Sequence, residues 1–144
     1  MALLILTKKK VLPKGILDSI EKCCETSGVN LSIEKTSNPK YFELYISKKY
    51  KTLNQENEDY FYLNLENDQI LVKDEDKSYY RLGVTDQADY DHLMYDFSLE
   101  YLKLNPNHII SLYGESFFTL ADLEKIELEG GYYTNWCFGV SRTN

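Results

Sequence analysis

Residues 85–113, TDQADYDHLMYDFSLEYLKLNPNHIISLY, decide how the rest of the chain must fold. At helical spacing Tyr90, Leu93, Met94, Phe97, Tyr101 and Leu104 fall at i, i+3, i+4, i+7, i+11 and i+14, one apolar stripe. Asp86, Asp89, Asp91, Asp96 and Glu100 are interleaved with that stripe, and most of them point away from it. Such a helix lies on an apolar layer with one side and shows a carboxylate-rich side to water or to a partner. Thr85 or Asp86 caps its start, and Asp86 and Asp89 suit the positive end of the helix dipole. Pro106 ends it, because proline cannot continue the backbone ladder. The dipole does not account for Asp91, Asp96 or Glu100. His108–Tyr113 is a short apolar run, either a strand or a buried crossing.

Upstream, Ala2–Leu6 reads as a buried strand that Lys8–Lys10 end. Pro13 opens a helix, where its missing N–H does no harm; Ile16, Leu17, Ile20, Cys23 and Cys24 give its apolar stripe, and Gly28 caps its end. Strand-like runs follow at residues 30–35, 41–48, 60–66, 69–73 and 78–82, with a polar loop at 54–59, a tight turn at Asn67-Asp68 and a charged hairpin tip at 74–77. In YFELYISK (41–48), Phe42, Leu44 and Ile46 face one way, and Tyr41, Glu43 and Tyr45 the other. In YFYLNLE (60–66), Phe61, Leu63 and Leu65 oppose Tyr60, Tyr62 and Asn64. Downstream, Thr119 caps a third helix, with Asp122 reaching back to it; Leu120, Leu123, Ile126 and Leu128 form its apolar side, and Gly130-Gly131 ends it. Trp136 docks on the core. The expected architecture is α+β, one domain over residues 1–144: a mostly antiparallel sheet of about five strands with three helices packed mainly on one face, the other face meeting solvent. That places Tyr41, Tyr45, Tyr60 and Tyr62 on an open sheet surface, with Glu43 and Asn64 among them.

At 144 residues the chain can bury a core without staples. Its net charge of -7 is uneven: residues 1–51 carry ten Lys against five acids, and the rest carries six basic against eighteen acidic groups. That balance opposes nucleic-acid binding, which needs basic patches, and suits a basic protein partner. Three cysteines without metal-ligand spacing form no disulfide framework and fit a reducing, cytoplasmic setting. No span approaches membrane length.

Thirteen tyrosines are the other compositional anomaly. Tyrosine packs well on strands; it also suits interfaces, offering a large contact area at low entropic cost with a polar tip. His92 and His108 are the two candidate general bases, but neither lies in a recognisable catalytic setting. The cysteines read as small core residues. Asp74, Glu75 and Asp76 lack the spacing and the glycine of a calcium loop, and no phosphate-binding glycine loop is present. No metal or cofactor is called for.

In the stretches YFELYISKK, DYDHLMYDFSLEYLKLNPNHIISLYGESFFTLADLEKI and GGYYTNWC, and in its acidic, tyrosine-rich composition, the chain resembles the immunity proteins of bacterial toxin systems, including contact-dependent inhibition. The resemblance implies a cytoplasmic, non-catalytic inhibitor that neutralises one cognate toxin, such as a basic nuclease domain, by stoichiometric binding. No residue role carries over from it. The surface argument alone selects Tyr41, Glu43, Tyr45, Tyr60, Tyr62, Asp91, Asp96 and Glu100 as partner-binding. Two alternatives stand beside it: an acidic nucleic-acid mimic that blocks a DNA-binding protein, and a small enzyme or ligand-binding domain with a cleft near His92 or His108. An open sheet face can equally close a homodimer.

Overall fold

The computed structural model describes residues 3–34, 41–48, 60–66, 69, 71–74, 77–86, 91–112, 116–134 and 136. Its elements, in order, are β1 (Leu3–Thr7), α1 (Pro13–Ser27), β2 (Val29–Glu34), β3 (Tyr41–Lys48), β4 (Tyr60–Glu66), β5 (Leu71–Asp74), β6 (Lys77–Thr85), α2 (Asp91–Leu104), β7 (Ile109–Leu112), β8 (Ser116–Phe118) and α3 (Leu120–Leu128). The class is α+β with three helices, as expected. The sheet has eight strands rather than about five, in the order β2-β3-β4-β6-β1-β7-β8, with β5 also on β6. Every described pairing is antiparallel. The excess has two sources. The run at β7, read as either a strand or a buried crossing, joins the sheet beside the strand-like runs already expected, and Ser116–Phe118, too brief to show an alternation, adds an edge strand. The expected loop at 54–59, the turn at Asn67-Asp68 and the hairpin tip Glu75-Asp76 lie outside the described residues, as does Tyr90.

The helix termini follow their local chemistry. Pro13 sits at the start of α1, and Gly28 ends it in the left-handed region at φ 69°, donating its N–H to the carbonyls of Cys24 and Glu25. Thr119 Oγ1 accepts from Asp122 N, and Asp122 Oδ2 accepts from Thr119 N at 2.8 Å, which completes the capping box of α3. The expected capping of α2 by Thr85 or Asp86 involves residues 87–90, which lie outside the described residues. Thr85 closes β6 and its Oγ1 accepts from Leu3 N at 2.8 Å, while Asp86 Oδ1 accepts from Tyr62 N at 2.9 Å. Both side chains accept from sheet amides, and the described span of α2 is Asp91–Leu104.

α2 is also more deeply placed than a one-sided stripe implies. Leu93, Met94, Tyr95, Phe97, Ser98, Leu99, Tyr101 and Leu102 are all buried, whereas Leu104 is left exposed. A helix apolar on most of its circumference belongs inside, and α2 lies between α1 and α3. Phe97 meets Phe61 of the sheet edge-on at 5.4 Å, and Tyr95 meets Trp136 at 5.2 Å. Trp136 is docked as expected, against Phe118 as well. In α3, Leu123 and Ile126 are buried, but Leu128, expected on the apolar side, is 89% exposed beyond the last packed turn. Phe42, at the start of β3, is likewise 41% exposed, while Leu44 and Ile46 are fully buried.

The face away from the helices is not uniformly open, which corrects the simple two-sided reading. All five residues of β1 are buried. Leu3 and Ile5 face the helical core; Leu4 and Leu6 belong to a second cluster with Tyr79, flanked by Val72, Val84, Ile109 and Phe117. Tyr79 of β6 and Phe117 of β8 stack at 6.2 Å although three strand spacings separate their strands, about 14 Å in a flat sheet at roughly 4.8 Å each. The sheet therefore curls over β1 on this side. A bulge in β6 opposite Ile5/Leu6 helps it bend.

Gly83 lies at that bulge, and an added Cβ there would sit 3.1 Å from Leu63 Cδ1 and 3.3 Å from the Asn64 carbonyl oxygen. Gly83→Ala is expected to lower stability by about 1–3 kcal/mol, read as a lower denaturation midpoint with an unchanged slope. An unchanged midpoint would show that β4 and β6 are less closely packed than described.

Candidate functional site: a tyrosyl sheet face and a histidine cleft

Register brings three of the selected tyrosines together. Tyr45 pairs directly with Tyr62, and Ser47 pairs with Tyr60 on the same β3–β4 ladder. Side chains two apart on a strand share a face, so Tyr45, Tyr60 and Tyr62 form one cluster on the side away from the helices. Ring centroids are 5.5 Å apart for Tyr45–Tyr60, 5.2 Å for Tyr45–Tyr62 and 6.2 Å for Tyr60–Tyr62. All three are half-buried. Their mutual contacts make the patch rigid before anything binds, since each ring restricts the next. Glu43 lies two residues along β3 on the same face, opposite Asn64, whose Oδ1 accepts no hydrogen bond among the described residues. Tyr41 pairs with Glu66 in the backbone register; its side chain lies outside the described residues.

A salt bridge marks where this patch ends. Arg81 Nε donates to both carboxylate oxygens of Glu66, at 2.9 and 3.0 Å, and its terminal nitrogen adds a further bond. Arg81 lies opposite Leu6 in the register. One half of this sheet face is thus the apolar cluster around β1, and the other is the tyrosyl half on β3 and β4, with a bidentate ion pair between them.

The helical acids do not join the tyrosines; they lie in the helix layer, across the sheet. Asp91 is the first residue of α2, and its side chain lies outside the described residues. Glu100 accepts from Lys103 Nζ at 3.1 Å. Asp96 Oδ2 lies 3.6 Å from His92 Nε2, one helical turn away. Burial raises the Asp96 pKa; Glu127 and Glu100 push it further up, against the opposing pull of His92 and Lys48. On α3, Asp122 is spent in the capping box, and Glu127 accepts from the Tyr95 hydroxyl. The acids that looked like one continuous surface are thus divided among local structural tasks.

His92 is exposed and stacks on Tyr132 at 4.1 Å with the rings 2° from parallel. It borders a shallow cleft of about 250 Å³ lined by Ser27, Gly28, Val29, Lys48, Leu93 and Asp96. Neither Lys48, which lines this cleft, nor Tyr132, which stacks on His92, carried any sequence signal for it, because both come from segments distant in sequence. His108 is of another kind. It is 9% exposed, and its Nδ1 lies 2.8 Å from the Tyr101 hydroxyl. Burial pushes the Tyr101 pKa far up, so the phenol keeps its proton. Burial also lowers the His108 pKa. The cysteines are core residues: burial pushes the Cys24 thiol up to about 12, and the Cys23 thiol still higher, where it donates to the Phe97 carbonyl at 3.4 Å.

Among the described residues no three His, Cys, Asp or Glu side chains gather to hold a metal ion, and no helix is long and apolar enough to cross a membrane. Comparison with known proteins finds no matching family model, curated protein or solved structure.

The His108 environment gives a pH prediction. A histidine whose folded pKa is depressed takes up its proton more readily when unfolded, so its contribution to stability is complete above about pH 6.5 and is lost as pH falls below that value. Denaturation midpoints should therefore drop between pH 6.5 and 5, ahead of carboxylate titration, and His108→Gln should flatten that drop. An equal slope in the variant would place the titration elsewhere.

Proposed function

We propose that this chain is a non-catalytic protein inhibitor of the immunity type, which acts in the bacterial cytoplasm by binding one cognate, basic toxin domain. The observation that carries the proposal is the Tyr45–Tyr60–Tyr62 cluster, three half-exposed rings in mutual contact on the half of the sheet face beyond the second apolar cluster. Preassembled aromatic area of this kind binds well because little side-chain entropy remains to be lost. Glu43 beside it, within a chain of net charge -7, supplies electrostatic complementarity to a cationic partner and favours rapid association. Asp96 and Glu100 take a secondary place, since each has a local partner and both lie across the sheet from the tyrosines. That division also weakens the nucleic-acid-mimic alternative, which needs a continuous row of unpaired carboxylates.

A second reading has one observation behind it. The cleft at His92 brings an imidazole, a carboxylate of raised pKa and the Lys48 amine to one concave place. A small anionic or polar ligand fits such a set.

The test is capture from the native organism's lysate at low and then raised salt, with wild-type protein and with Tyr45→Ala/Tyr62→Ala. The inhibitor reading expects one basic protein recovered by the wild type, retention at physiological ionic strength, and loss of more than about tenfold in the double variant, since buried interface aromatics are commonly hot spots. Recovery that is undiminished in the variant would remove the tyrosyl face as the binding surface. No specific recovery, together with ligand binding abolished by His92→Ala, would favour the cleft.

A further inference from the structure

The two edges of the sheet are built differently. β8 has three residues and runs directly into α3, so that edge is short and closed off by its own chain. β2 has six residues, VNLSIE, with neither proline nor lysine and an unbroken register against β3. Among the described residues it has a strand neighbour on one side only. Proteins usually blunt such an edge with a short strand, a bulge, a proline or a lysine, and the described residues of β2 carry none of these devices. Beside it runs a groove of about 490 Å³ between β2 and α1. Val29, Leu31, Ile33 and Cys24 supply its apolar walls, and Ile33 is 53% exposed. Glu21 and Glu25, one helical turn apart on α1, bring two carboxylates to the groove, and no basic side chain lines it among the described residues.

We propose that the outer edge of β2 and the adjoining groove form a docking site for an extended, basic strand of a partner protein, added antiparallel or parallel to the sheet. The backbone of the incoming strand continues the ladder, which supplies affinity with little dependence on sequence. Alternation then sorts its side chains. One set lies on the Leu31–Ile33 shelf, where apolar residues are seated and lysine or arginine reaches Glu21 and Glu25. The other set extends the cross-strand row Ser32–Tyr45–Tyr62 on the opposite face. A second copy of this chain is the poorer occupant: pairing β2 with β2 about a two-fold axis brings the Glu21 and Glu25 pairs of both copies to one junction, with like charges facing. The site is formed by β2 and the α1 carboxylates and requires neither the ring cluster nor the inhibitor function.

The test titrates the full-length, isotope-labelled protein with a blocked octapeptide of alternating lysine and valine, and with its glutamate–valine counterpart, while amide spectra and hydrogen exchange are recorded. The expected result is shifts and slowed exchange concentrated in residues 29–34, binding of the lysine peptide only, and an affinity about tenfold or more weaker in Glu21→Lys/Glu25→Lys, whose free spectrum shows it folded. Ile33→Lys, at an exposed position, should weaken binding independently. The proposal is overturned if the lysine peptide leaves β2 unmoved at millimolar concentration, or if charge reversal leaves its affinity unchanged. It is also overturned if β2 amides become protected with rising protein concentration alone, which would assign the edge to a second copy.

Discussion

The constraint on which the structure depends is the burial of β1 on both of its faces. This strand joins β6 on one side to β7 on the other, so it is the only described link between the β2–β6 portion of the sheet and the β7–β8 portion. Leu3 and Ile5 enter the helical core while Leu4 and Leu6 enter the cluster with Tyr79. A strand buried on two sides must be apolar throughout, and LLILT is almost that; its one polar member, Thr7, is also buried. Each such leucine or isoleucine withdrawn from water contributes roughly 1.5–3 kcal/mol, so these few residues weigh heavily in a domain of ordinary stability.

Closure of the sheet over β1 has a functional consequence. Curling brings Tyr79 onto Phe117 in the apolar half of the face, while Tyr45, Tyr60 and Tyr62 are half-buried in the β3–β4 half. The bidentate Arg81–Glu66 pair stands between the halves. Tyrosines on a strand usually need no explanation beyond packing. These three are also in contact with one another, over a layer already filled beneath by Leu44, Ile46, Phe61 and Leu63.

The legible part of the fold was local. Pro13, Gly28, Thr119 with Asp122, and the alternation in YFELYISK and YFYLNLE carry their structural meaning within a few residues, and the structure agrees with each. The tyrosyl cluster was legible for the same reason, since period-two alternation assigns a face. What depends on distant segments was not legible. Nothing near Thr85 or Asp86 in the sequence shows that their side chains accept from the amides of Leu3 and Tyr62. Gln69 shows no signal in sequence, yet its side chain bonds both the N–H and the C=O of Val11 and so ties the segment after β4 to the start of α1. The helical acids suggested one surface because charge is visible in sequence while its local neutralisation is not. Lys48 and Tyr132 meet His92 only through the fold.

The central claim is that the tyrosyl half of the sheet is the surface through which this protein acts. Hydroxyl-radical footprinting of the protein, alone and in complex with the partner that it retains, tests that claim most directly. The account predicts reduced modification at Tyr45, Tyr60 and Tyr62 in the complex, with Tyr132 and His92 on the helical side unchanged. Protection confined to the helical side, with the three sheet tyrosines as reactive as in the free protein, would contradict it.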